Sequence, residues 1–213
     1  GLDVNMQAWN WLETMCGGKR GVRDADPSGL GDWDSYAAIH EFPIEEYEKA
    51  KSEILVEGYC DTAIVTLSRT AAEGSALSMD LDGDGSTVNG TTYLELDDNE
   101  RNLMKFCKEN FKHTIVLLNT SSAMEIGFLD SEEYNVEACL WIGHPGDAGL
   151  VGVGKLITGA VNPSGRLVDT WAYDVSTNPT FYNMDNNRYA NGQDADNNTF
   201  YQYEEGIYVG YRF

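Results

Sequence analysis

Ala63–Leu67, AIVTL, is the stretch that most limits the fold. It is short, apolar and rich in β-branched residues, and it reads as a buried strand of a parallel sheet, without a polar face. It runs straight into a small-residue loop, Ser68–Gly74, that carries one carboxylate, Glu73. In open parallel sheets function sits beyond the carboxyl ends of the strands. A carboxylate there accepts, gives or holds a proton according to how far burial raises its pKa. The same position suits a solvated loop acid, and the residues alone leave both readings open.

Two further runs repeat the pattern. His113–Asn119 reads as a second buried strand followed by the loop TSSAME, and Val136–Ile142 as a third, ending in GHPGDAG. Helical signals fall between them. Pro43 opens a segment with acids in the first turn, lysines later and Gly58 at its end. Asp97 and Glu100 make a capping pattern ahead of Leu103, Phe106, Cys107 and Phe111 on one face. Leu150–Thr158 reads as a helix with Gly152 and Gly154 on it. Strands alternating with helices give an α/β fold with parallel pairing. The order of strands is not written in the sequence.

Outside this alternation, residues 1–16 have Leu2, Met6, Trp9 and Leu12 at helical spacing, with Trp11 off that stripe. Gly17–Tyr36 reads mostly as loop, and its Trp33 and Tyr36 suit either the edge of a core or the lining of a sugar site. NPSGRL at 162–167 reads as a turn, and the closing YEEGIYVGYRF as strand-like.

Charge and motifs narrow the function. A formal net charge of −21, from 35 acidic and 14 basic residues, argues against nucleic acid and anionic membrane surfaces as partners. No apolar run approaches the roughly 18 residues of a transmembrane helix. The opening GLDVNMQAWNWLETM has no signal-peptide pattern and no initiator Met, which reads as a processed product or a piece of a longer chain. Cys16, Cys60, Cys107 and Cys139 have no metal spacing, and a reduced, cytoplasmic chain is favoured over a disulfide-bearing secreted one. Neither GxGxxG nor GxxxxGK[ST] follows a strand, so no nucleotide cofactor is implied. Asp80, Asp82 and Asp84 imitate the start of a calcium loop, but its twelfth position is Thr91, so a polar surface excursion is the favoured reading. His144, beside a Pro turn, suits a structural or a catalytic role.

The pieces TAIVTLSRTAAEG, TIVLLN, HPGDAG, GAVNPSGRL and EEGIYVGYRF follow one another in an order that resembles glycoside hydrolase family 3, the β-glucosidase and β-xylosidase family. The resemblance covers roughly 43–213 and is to the second domain alone. It implies a three-layer α/β/α sandwich with a mostly parallel sheet, flavodoxin-like, at 43–213, with 1–42 as a helix and loop segment packed on it. It also implies part of a retaining β-glycosidase acting on terminal β-D-glucosyl or xylosyl residues. Glu73 aligns with the general acid/base, and Arg69, Trp141 and His144 become candidate substrate-binding residues. The Asp nucleophile belongs to a barrel domain, which needs about 250 residues and has no room in this chain. That domain, in the same precursor or another chain, and a β-linked glycoside are the implied partners. Two loops differ from the family pattern: Ser75-Ala76-Leu77-Ser78 follows Glu73, and Asp147-Ala148-Gly149-Leu150 replaces a Gly-Gly ending. The competing reading is a non-catalytic flavodoxin-like module that binds a partner domain or a carbohydrate.

Overall fold

The computed structural model describes residues 2–17, 22–23, 39–69, 92–181, 187–188, 199–200 and 203–212. Helix α1, Met6–Cys16, starts at Asn5, whose side-chain oxygen accepts from the N–H groups of Gln7 and Ala8. It ends at Gly17, which takes the left-handed conformation at φ +57°. Two-residue strands β1 (Val22–Arg23) and β2 (Ile39–His40) pair antiparallel. Pro43 then leads into α2, Ile44–Lys49, and α3, Lys51–Ile54. The single helix expected after Pro43 is thus two short pieces meeting at Ala50 (φ −91°, ψ 12°).

Three strands form a parallel sheet in the order β3-β4-β5: β3 is Thr62–Arg69, β4 His113–Thr120 and β5 Val136–Trp141. β3 and β4 run in step from Thr62 opposite His113 to Arg69 opposite Thr120. Helix α4, Asp98–Asn110, is the crossover between them and opens with the expected capping box. Helix α5, Gly146–Ile157, follows β5, and β6 (Asn187–Arg188) pairs antiparallel with β7 (Thr199–Phe200). This is the α/β fold with parallel pairing that the alternation of elements predicts, in the flavodoxin-like sandwich form that the family resemblance implies.

The core lies on one face of the sheet. Ala63, Val65 and Leu67 of β3 and Val116 and Leu118 of β4 pack against Tyr47, Ala50, Ile54, Leu103, Phe106 and Cys107 of the helices. Each large side chain removed from water here contributes about 1.5–3 kcal/mol. All four cysteines are free, and burial pushes the Cys107 thiol up to about 12. Only part of the sheet is covered on both faces. Leu117 of central β4 is buried on the second face, whereas Ile64 of β3 is 44% exposed there. β3 therefore alternates, with Thr62 and Thr66 outward, and the expectation of a strand without a polar face is corrected.

Three other expectations change. Ala8, Trp11, Met15 and Cys16 are the residues of α1 that meet the core, Trp11 edge-on to Tyr47 at 5.2 Å, while Leu2, Met6 and Trp9 are exposed. Both stripes have helical spacing. The Asn5 amide group, which donates to the carbonyls of Glu53 and Ile54 at the end of α3, holds the helix with the Trp11 side inward. Helix α5 starts four residues before Leu150, directly after Pro145. The closing segment is no strand: turns lead to a 3-10 helix at Gly210–Arg212, and Gly206 and Gly210 both have φ +58°. Left-handed glycines break an extended run.

Candidate functional site

The carboxyl ends of β3 and β4 are held by one buried cation. Arg69, the last residue of β3, is 3% exposed. Its Nη1 and Nη2 donate to the two carboxylate oxygens of Glu100, each at 2.6 Å. The remaining N–H groups go to the carbonyls of Tyr93 (2.7 Å), Glu95 (2.5 Å) and Ser68 (2.9 Å). A guanidinium has five donors, and all five are used within the fold. Arg69 as a substrate-binding residue is therefore corrected: no donor is left for a sugar. Glu100 is also the third residue of α4, and its carboxylate accepts from the Asp97 N–H at 3.0 Å.

Glu73 lies outside the described residues, as do Asp80, Asp82, Asp84, Trp33 and Tyr36. Of the remaining sequence candidates, Trp141 ends β5, donates its ring N–H to the Thr120 carbonyl at 2.9 Å, and packs edge-on against Trp171 at 5.5 Å. Next to it at the end of β4, Asn119 Oδ1 and Thr120 Oγ1 are buried without a hydrogen-bond partner. His144 is exposed in the connection between β5 and α5 and makes no hydrogen bond among the described residues. The structure thus brings Trp141 to the end of β4, and gives His144 no hydrogen bond there.

A cavity of about 270 Å³ opens beside the first turn of α4, lined by Glu95, Leu96, Arg101, Glu125, Gly127, Phe128, Ser131, Tyr134 and Tyr173. Its frame is a backbone apposition: the N–H groups of Ile126 and Gly127 donate to the carbonyls of Ala172 and Tyr173. Glu125 accepts from the Val175 N–H at 2.8 Å. Burial raises its pKa above the ordinary carboxylate value, and the nearby Glu95 and Asp174 carboxylates raise it further.

The description of the glycosyl hydrolase family 3 C-terminal domain matches residues 24–211. The chain belongs to that family. This family 3 domain is 33% identical over 153 residues to a β-glucosidase of Ruminococcus albus, covering 72% of the chain and 14% of that protein. It is 32% identical over 152 residues to a β-glucosidase of Schizophyllum commune, covering 71% of each. The solved β-glucosidase of Paenibacillus barengoltzii has the same fold, with a TM-score of 0.68 and 24% identity over 99% of this chain and 20% of that one. The chain spans 14%, 19% and 22% of three curated β-glucosidases that it matches.

Among the described residues of the family 3 domain no cluster of three or more His, Cys, Asp or Glu is arranged to hold a metal. No helix there is long and apolar enough to cross a membrane. Asn119, Thr120, Trp171, Glu125 and Arg101 are not singled out as site residues by the sequence reading. Asn119 leaves a signal, a polar residue closing an apolar strand. The cavity residues come from three separate segments, 95–101, 125–134 and 173, and no local pattern joins them.

Proposed function

We propose that this family 3 domain supplies the general acid/base of a retaining β-glycosidase acting on terminal β-D-glucosyl or xylosyl residues. Glu73 is the proton donor, and the Asp nucleophile comes from a barrel domain in the same precursor or in another chain. In this reading residues 43–213 form the sandwich and 1–42 pack on it. The observation that carries the reading is the family match over residues 24–211 together with relatives named as β-glucosidases. Position supports it, since Glu73 follows the carboxyl end of β3, where open parallel sheets place their chemistry. Retention requires the two carboxyl groups about 5–5.5 Å apart, one attacking the anomeric carbon and the other protonating the leaving oxygen. The donor must stay protonated until substrate arrives, and burial against the barrel domain would keep it so. The net charge of −21 suits a neutral glycoside rather than nucleic acid. Without a nucleophile the 213-residue chain alone has little or no activity.

The test is Glu73→Gln in the complete enzyme, this domain together with the barrel domain. Turnover of alkyl β-glycosides, whose leaving groups need a proton, falls about 10²–10⁴-fold, whereas activated aryl glycosides lose much less. Unchanged turnover of both classes overturns the assignment and leaves a non-catalytic module that binds a partner domain or a carbohydrate.

A further inference from the structure

We infer that Arg69, paired with Glu100, is a positioning residue for the proton donor: it clamps the departure and the return of the 70–91 segment and so sets where Glu73 stands relative to the sheet. This rests on the reading of Glu73 as the general acid/base. Its basis is where the five donors of one buried guanidinium go. Nη1 reaches the Ser68 carbonyl at 2.9 Å, just before the segment leaves the sheet. Nε and Nη2 reach the carbonyls of Tyr93 (2.7 Å) and Glu95 (2.5 Å), just after it returns. The other two bonds, each 2.6 Å long, go to Glu100 and tie the cluster to α4. The return is itself buried, with Thr92 5% and Tyr93 2% exposed, and the guanidinium lies 5.4 Å from the centre of the Tyr93 ring. Glu73 follows Arg69 by four positions, so at most about 14 Å separates their Cα atoms. A change in the direction of the chain at Arg69 is therefore carried to Glu73.

Stability alone does not account for the arrangement. Replacing a buried ion pair by well-packed apolar side chains is often neutral or stabilising. What the pair supplies is direction, because a planar fork fixes angles as well as distances. Catalytic groups need that, since their placement must hold within about 0.5 Å. The neighbouring strand end gives the contrast. At the end of β4, Asn119 Oδ1 and Thr120 Oγ1 are buried without a hydrogen-bond partner, so full use of polar groups is not general along this edge of the sheet.

The test is Arg69→Lys in the complete enzyme, this domain together with the barrel domain, on alkyl and on activated aryl β-glycosides. Lysine keeps the charge beside Glu100 but has no fork to reach both ends of the segment. Glu100→Asp, which also keeps both charges, takes its place if Arg69→Lys fails to fold. With alkyl glycosides kcat should fall about 10²-fold at nearly unchanged KM, while activated aryl glycosides, which need little proton donation, should change little. In the Glu73→Gln enzyme the same variant should cause no further loss of alkyl turnover, because residues that act as a unit are not additive. A merely structural role lowers both substrate classes alike, and that result overturns the inference. So does parent-like turnover of both classes by the folded variant, or a loss as large in the Glu73→Gln background as in the parent. The two failures are distinct. If Glu73→Gln spares both classes, the reading of Glu73 fails and this inference falls with it. If Glu73→Gln shows the dependence on leaving group and Arg69→Lys does not, this inference alone fails.

Discussion

Arg69 and Glu100 meet as a two-point ion pair, Nη1 to Oε1 and Nη2 to Oε2 at 2.6 Å, with side-chain exposures of 3% and 4%. The pair joins the last residue of β3 to the first turn of α4. Losing one partner strands the other's charge in the interior. Arg69→Met or Glu100→Gln should each cost about 3–5 kcal/mol, and the double change Arg69→Met with Glu100→Met less than the sum of the two. Urea unfolding of the three variants measures this. Single-variant losses below about 1 kcal/mol, the range of exposed pairs, would contradict the burial described.

Glu41 gives stability a pH dependence of unusual sign. Burial is the main reason its pKa is raised, and the Glu100 and Asp97 charges add to it, while hydrogen bonds from Tyr47 Oη and the Phe42 N–H oppose it. At low pH the group is protonated in both states. As pH rises through the ordinary Glu range, about 4.3, the unfolded chain releases the proton that the native state retains. The native state therefore loses stability until the folded-state pKa is passed. Glu41→Gln should remove that decline and raise Tm near neutrality relative to the parent. Thermal melts across pH read the difference, and parallel curves for the two proteins would show that Glu41 does not titrate differently on folding.

The two tryptophans of α1 should behave oppositely. Trp11 packs on Phe42 and Tyr47, so Trp11→Ala should cost about 3–5 kcal/mol. Trp9 is 56% exposed, and Trp9→Ala should stay within about 0.5 kcal/mol of the parent. Denaturant midpoints of the pair are enough to decide, and a reversed order would mean that α1 turns its other face inward.

Gly127→Ala should disturb a junction rather than the core. The new methyl would press on the Tyr173 carbonyl, and the strain of such insertions is about 1–3 kcal/mol. The Gly127 N–H bond to Tyr173 should weaken with it, seen as faster exchange of the Gly127 amide. Unchanged exchange and stability would mean that the 171–175 segment yields freely.

Much of the scaffold was legible because its signals are local. The three apolar runs became β3, β4 and β5, and Asp97 with Glu100 became the cap of α4. What escaped depends on which surfaces meet. The sequence carries two apolar stripes on α1, and only the Asn5 bonds to the end of α3 decide between them. The start of α5 was hidden by its glycines, each of which costs about 1 kcal/mol in a helix relative to Ala. At the site, Arg69 looked available because the sequence does not reveal that Glu100, 31 positions on, uses its carboxylate to satisfy it. Orphaned acceptors such as Thr120 Oγ1 are likewise a property of packing, invisible in a string of residues.

Through Arg69, the strand end at Ser68 and Arg69 is fastened to Tyr93, Glu95 and Glu100, the residues that follow the 70–91 segment. Once both mouths of a segment are anchored, each doubling of its length adds only about 0.6 kcal/mol of closure entropy. The anchorage therefore acts as a socket. The register of β3 on β4 is thus held by residues outside positions 70–91, and a change in the length of that stretch costs the sheet little.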